Sequence, residues 1–243
     1  MEYGVQLYSC RDFMKEDMAY ALKRVAEIGY KYVEFAGFFG HSAKEVKAML
    51  DANGLKVSAT HSSLDELEAD FEGTVRYHKT IGNTNYIIPG TATDTAEEVD
   101  RAIERLNKFQ PMLAAEGITL AYHNHDREFR PNRDGVIAHE EMERRTNIDF
   151  QIDTYWSYVA GRDSVETITR LKDRVKVIHI KDGLADGEGF PLGLGTAPVA
   201  DIYARAKELG MFMVVESETL NPDGLTEIDI CFKYLKELEK TIK

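Results

Sequence analysis

The residues of this chain best suited to chemistry stand at the ends of short apolar runs. Val175 to Gly183 reads V-K-V-I-H-I-K-D-G and delivers His179 and Lys181, which are two apart and so share one face of a strand. Three other runs end in the same way: Ile118 to His125 in His123 and His125, Ile148 to Asp153 in Asp153, and Phe212 to Glu218 in Glu216 and Glu218. Asp153, His179 and Glu216 offer oxygen, nitrogen and oxygen donors. His123 or His125 would complete a set suited to a divalent metal ion such as Mn, Mg, Zn or Co. An ion held this way polarises a carbonyl and its neighbouring hydroxyl, while a nearby base removes the adjacent carbon-bound proton. Returning that proton elsewhere gives an isomer or epimer, and loss of a β-substituent gives elimination. Glu216, His123 and Lys181 are the candidates for proton transfer. Each residue also has a plainer role open to it. Asp153 could cap a following helix, a histidine could line a wall, and Lys181-Asp182 could be a surface pair. Recurrence at successive run ends is what argues for one site.

For these ends to meet, the runs must be parallel neighbours. The pattern along the chain supports that: Tyr3 to Tyr8, Tyr32 to Ala36, Lys56 to Thr60, Tyr86 to Ile88, Thr119 to His123, Asp149 to Asp153, Val175 to Ile180 and Phe212 to Glu216 read as strands. Between them lie helical stripes. They begin at Glu16 and include Ser42 to Asn53, Leu64 to Ile81, a long helix from the capping box Thr95-Ala-Glu-Glu98 through Pro111 to Gly117, Gly135 to Arg145 and Ser164 to Leu171. Thr196 and Pro198 read as the start of a helix that ends near Gly210, and Ile228, Cys231, Leu235 and Leu238 mark a last one. Gly29, Gly54, Gly82, Gly117 and Gly210 each follow a helix and precede a strand, as left-handed C-terminal glycines do. Eight such α/β units over residues 1–243 predict a single-domain (β/α)8 barrel, whose strand carboxyl ends ring one mouth. An open doubly wound sheet is the runner-up, but no G-x-G-x-x-G follows the first strand.

Other residues fall at the same mouth. His61 ends the third strand, Tyr8 the first, and Gln6 lies one step below Tyr8; all three are candidates for binding substrate hydroxyls, as is His125. The cluster Tyr155-Trp156-Ser157-Tyr158 offers an apolar wall for a sugar ring, with Trp156 foremost, or core packing. The glycine-rich stretch Gly189 to Gly195 could fold over a ligand. His41, His78 and His139 fall in or near helices and are expected at the surface.

Composition narrows the field. A net charge of −12 repels phosphate backbones and anionic membranes, so neither nucleic acid nor membrane is an expected partner. With no basic start, no long apolar stretch and only Cys10 and Cys231, the chain reads as cytoplasmic. No G-x-S-x-G elbow and no G-x-x-x-x-G-K-[ST] loop is present, which removes serine hydrolysis and phosphotransfer.

The stretches G-V-Q-L-Y-S from Gly4, G-L-K-V-S-A-T-H-S-S-L from Gly54, Y-H-N-H-D-R-E-F from Tyr122, H-I-K-D-G from His179 and P-L-G-L-G from Pro191 resemble the xylose-isomerase-like barrels described as sugar phosphate isomerases/epimerases. The likeness runs nearly end to end. It implies a divalent ion held by Glu, Asp, His and Glu from the last four strands, with the two Glu residues as acid and base. Asp153, His179 and Glu216 match three of these. The first Glu does not match: many relatives read E-N-H where this chain has His123-Asn124-His125, so an imidazole stands in for the carboxylate as ligand or proton shuttle. Glu128 could then contact substrate. The resemblance implies a small sugar or keto-sugar as substrate and a dimer or tetramer as the assembly. The alternatives are a keto-sugar or inosose-type dehydratase or lyase, and a non-catalytic sugar-binding barrel. An apurinic-site endonuclease on the related barrel fits poorly with the acidic charge and seven histidines.

Overall fold

Gly54 and Gly82 show how the chain turns from helix into strand. They close the helices Ala43–Asn53 and Phe71–Ile81 in the left-handed region, at φ 63° and 80°, and give N–H groups to the last helical carbonyls. In the computed structural model, which describes residues 1–242, this turn leads into a barrel. The strands are β1 (Gly4–Gln6), β2 (Tyr32–Ala36), β3 (Lys56–His61), β4 (Asn85–Ile88), β5 (Thr119–His123), β6 (Asp149–Asp153), β7 (Val175–Ile180), β8 (Asp182–Gly183), β9 (Gly189–Phe190) and β10 (Phe212–Val215). Eight of them close in the order β1-β10-β7-β6-β5-β4-β3-β2, and all eight neighbours pair parallel. The remaining two, β8 and β9, form a small antiparallel ribbon. Because β1 pairs with both β2 and β10, the sheet has no edge, and the predicted single-domain (β/α)8 barrel replaces the open-sheet alternative.

The main core lies between strands and helices. Helix Ala96–Ala115, started by the Thr95 capping box, buries Val99, Ala102, Ile103, Leu106, Phe109 and Leu113 along one face. Each large side chain removed from water in this way contributes about 1.5–3 kcal/mol. Inside the barrel the filling differs. Ala59, Ile87 and Ala121 form a small apolar cluster of their own, and the small residues leave room for the buried Gln6, Glu34 and Gln151. Two ladders slip register by one step: Ser58 on β3 is left over opposite Val33 and Glu34 of β2, and Lys176 on β7 is left over opposite Phe150 and Gln151 of β6.

Several elements differ from their sequence readings. β1 stops at Gln6, because the Gln6 side chain accepts the Tyr8 N–H and starts a 3₁₀ turn over Leu7–Cys10. Leu64 to Ile81 is two helices, since Asp70 leaves helical geometry and its carboxylate caps the Gly73 N–H of the second. The long helix runs through Pro111 as read, to Ala115. Thr196 and Pro198 are not a cap pair: Thr196 bonds the Gly183 carbonyl, and helix Val199–Glu208 begins without a side-chain cap. His78 and His139 are buried rather than at the surface. The glycine-rich loop is tethered from below. The Asp182 carboxylate accepts the N–H groups of Gly193, Gly195 and Ala197 at 2.8, 3.1 and 3.1 Å, and a Cβ at Gly195 would lie 2.3 Å from its oxygen. Among the described residues no helix is long and apolar enough to cross a membrane.

Candidate active site

Parallel closure places the carboxyl ends of β5, β6, β7 and β10 side by side, and His123, Asp153, His179 and Glu216 converge there. One ligand atom from each lies within 4.8 Å of every other, and all four residues are buried. The His179 Nδ1 is 3.2 Å from a Glu216 oxygen and 3.9 Å from Asp153 Oδ2. Asp153 uses Oδ1 as the N-cap of the helix Thr154–Val159, accepting the Tyr155 and Trp156 N–H groups at 2.9 Å, so its capping role and its place in the cluster coexist. Its Oδ2 is buried with no hydrogen-bond partner. An orphaned carboxylate oxygen beside two nitrogen donors and one further oxygen donor is what a cation site presents when its geometry is already built. The residues therefore fit a divalent ion.

The electrostatics are those of crowded, buried charge. Burial pushes the Asp153 carboxyl up to about 7; nearby Lys181 opposes this and Glu216 adds to it. Burial would raise Glu216 as well, but Lys181 and His179 hold it well below the usual carboxylate range, so it is ionised. Burial would lower His179; the carboxylates of Glu34 and Glu216 outweigh this and hold the imidazole well above its ordinary value. His123, buried among other imidazoles, is held neutral by desolvation first and then by His179 and His61. Lys181 is buried but kept charged by Glu216, Asp153 and Glu218. Its Nζ lies 3.4 Å from Glu216, pairs with Glu218, and sits 4.8 Å above the Trp156 ring.

Above this cluster is a cleft of about 390 Å³ lined by Tyr8, Ala36, His61, Pro89, His123, His125, Glu216 and Glu218. His125 Nδ1 and Trp156 Nε1 are buried without partners, and the two rings lie 5.9 Å apart. The structure thus gathers Tyr8, His61 and His125 around one mouth, with Trp156 beside His125. Two sequence candidates stand behind it instead. The Gln6 amide is engaged on both sides, donating to Glu34 at 2.8 Å and accepting from Tyr8 N–H. Glu128 is fully buried and accepts from the His125 N–H at 2.8 Å, the Tyr122 hydroxyl and the Arg127 guanidinium, which leaves it no oxygen facing the cleft.

The sequence reading missed Glu34 and Gln151. Both are fully buried within strands and joined at 2.6 Å, and Glu34 also faces His179 and His61. A signal existed: a carboxylate between Val33 and Phe35 interrupts what should be an apolar strand, and Gln151 is two residues before Asp153 on the same face.

Over residues 22–238 the sequence matches the profile of a family described as the xylose isomerase-like TIM barrel. No curated protein matches it. Among solved structures, it is similar to a sugar phosphate isomerase/epimerase from Parabacteroides distasonis at 25% identity and a TM-score of 0.83, covering 97% of each chain. A second such protein from that organism shares 22% identity at a TM-score of 0.85, with 100% of this chain and 95% of that one covered. The probable 3-DHS dehydratase from Bacillus anthracis shares the fold at 15% identity and a TM-score of 0.75, covering 97% of this chain and 99% of that one.

Proposed function

Since this chain belongs to the xylose isomerase-like TIM barrel family, we propose that it is a divalent-metal-dependent isomerase or epimerase of a small sugar or keto-sugar. The observation that carries this reading is the convergence of His123, Asp153, His179 and Glu216 beneath a cleft of monosaccharide scale, with Asp153 Oδ2 unpartnered. These four residues would hold the ion; Mn, Mg, Zn and Co all suit the donor set. When bound, it supplies Lewis-acid polarisation of a substrate carbonyl and the hydroxyl beside it.

This chain's own groups do the rest. Glu216, held ionised by Lys181 and His179, takes the proton from the carbon next to the carbonyl, and the electron pair moves onto the carbonyl oxygen to give an enediolate. The protonated Glu216 carboxyl then returns the proton to the neighbouring carbon, while neutral His123, on the strand end where the family resemblance implies the first Glu, serves as a ligand. The Lys181 ammonium stabilises the negative charge that develops. Tyr8, His61 and His125, which line the cleft, orient the hydroxyls, and Trp156 packs beside His125 and Lys181.

The test is a panel of sugars and keto-sugars in deuterium oxide with added Mn²⁺. Solvent deuterium should enter a substrate C–H position with the wild-type chain and not with Glu216→Gln; equal incorporation by both would remove Glu216 from the mechanism. One observation favours a second reading: His123 stands where the resemblance implies the first of two Glu residues, so the acid–base pair of a symmetrical epimerase is broken, which suits elimination. Glu216 would then take the same proton, and a β-hydroxyl protonated by Lys181 would leave as water. Mass spectrometry separates the two, since an isomerase product keeps the substrate mass and a dehydratase product has lost one water. Sugar binding without any deuterium incorporation or mass change would instead favour a non-catalytic barrel.

A further inference from the structure

A carboxylate that takes no part in this chemistry lies under the site. Glu34 on β2 is 0% exposed and receives side chains from four other strands. Gln6 Nε2 and His179 Nε2 reach one oxygen at 2.8 and 2.6 Å, His61 Nε2 reaches the same oxygen at 3.0 Å, and Gln151 Nε2 reaches the other at 2.6 Å. An ionised carboxylate only accepts hydrogen bonds, so every nitrogen facing it must carry a proton. His179 therefore donates Nε2–H to Glu34 and turns Nδ1 toward Asp153 and Glu216.

The same logic passes through Gln151. With its NH₂ engaged on Glu34, its amide oxygen faces His61 Nε2 at 2.7 Å and His123 Nδ1 at 3.1 Å. That oxygen also only accepts. His123 must then hold its proton on Nδ1, which leaves the Nε2 lone pair free. The extra residues of the two register slips are Ser58 and Lys176, on the strands that end in His61 and His179, and such irregularities re-aim side chains next to functional sites.

We infer that Glu34 is a positioning residue that selects which imidazole nitrogen the site presents to a divalent ion, directly for His179 and by way of Gln151 for His123. This rests on the reading of His123, Asp153, His179 and Glu216 as ligands. Partners of this kind fix ligand orientation and raise basicity, and losing one typically costs 10–100-fold in metal affinity.

The experiment is ¹⁵N-imidazole NMR on the full chain, without ion and with Zn²⁺, together with calorimetric Zn²⁺ titration. In the ion-free wild type His123 shows the Nδ1–H tautomer. With Zn²⁺, His179 binds through Nδ1 and keeps its Nε2–H, and His123 binds through Nε2. Glu34→Gln, whose amide must turn N–H groups toward partners that also donate, should mix both patterns and weaken Zn²⁺ binding by about 10–100-fold. Gln151→Met removes only the relay, so His123 should lose its fixed tautomer while His179 keeps its pattern. This second variant carries the test alone should Glu34→Gln fail to fold. Unchanged imidazole signatures in the folded variants overturn the inference. A wild-type chain that binds no Zn²⁺ overturns the ligand reading, and the ion-free His123 spectrum then still decides whether Gln151 sets its tautomer.

Discussion

Two groups of buried histidines in this molecule are alike in burial and opposite in character. In the helix layer, His78 meets only neutral partners, the Thr60 hydroxyl at 3.2 Å and the Asn83 amide at 3.1 Å, and desolvation pushes it down to about 4. His139 is stacked between Phe129 and Phe150, with ring centroids 4.3 and 4.7 Å away, and bonds Glu143 at 2.7 Å. Desolvation lowers it too, with Glu143 opposing. At the barrel mouth, His179 is just as buried, yet two carboxylates hold it protonated. His123 is held neutral nearby, among groups of unlike charge that point at one another. Burial of a histidine is therefore no sign of function by itself. What marks the mouth is several buried donors from different strands that converge and leave Asp153 Oδ2 unanswered.

The contrast can be broken at its strongest point by substitution. Glu216→Gln should lower turnover by about 10²–10⁴-fold with the barrel still folded, as loss of a general base does. His78→Gln should lower the melting temperature and leave turnover near wild type. Comparable activity losses from both would erase the distinction between the two groups.

Acid should strike the helix layer next. His78 has a folded pKa of about 4 against 6.5 for the free side chain, so the unfolded chain binds the proton more tightly. The stability it contributes is present above pH 6.5 and lost as pH falls toward 4, to a limit of about 3 kcal/mol. Urea unfolding of wild type and His78→Gln at pH 7 and pH 4.5 measures this. A variant with the same pH slope as wild type would place the acid sensitivity elsewhere.

The smallest effect expected is the response of the mouth to cations. Free Mn²⁺ or Zn²⁺ at a hundred times its Kd should stabilise the wild type by about 2.7 kcal/mol. At this chain length that is a rise of roughly 5–10 °C in melting temperature. The rise should disappear in Asp153→Asn and persist in His78→Gln. A shift retained by Asp153→Asn would mean that the ion binds away from the mouth.

Much of this molecule was legible along the chain. β2, β6 and β7 have the bounds that their apolar runs suggest, and the strand-end residues Asp153, His179 and Glu216 meet as their positions imply. The break at Asp70 was harder to see, because a capping aspartate inside a continuous helical stripe looks like one more exposed polar residue. The inward turn of His78 and His139 was likewise hidden: a histidine is polar enough for the surface, and only the neighbours Thr60, Asn83, Phe129 and Phe150 make the interior acceptable to it. Gln6 and Glu128 belong to the same case, since a mouth position does not say which way an amide or carboxylate is engaged.

Strand and helix periods, glycine turns and capping boxes act over a few residues, so they are written in local order. By itself the sequence determined the alternation of strand and helix, its closure into a barrel and the row of titratable strand ends. Tertiary structure alone decided which nitrogen each imidazole turns toward the site. That choice depends on Glu34 meeting His179, 145 residues away, and Gln151, 117 residues away, in the buried interior of the barrel. Hydrogen-bond polarity between such distant groups exists only once the barrel has closed around them.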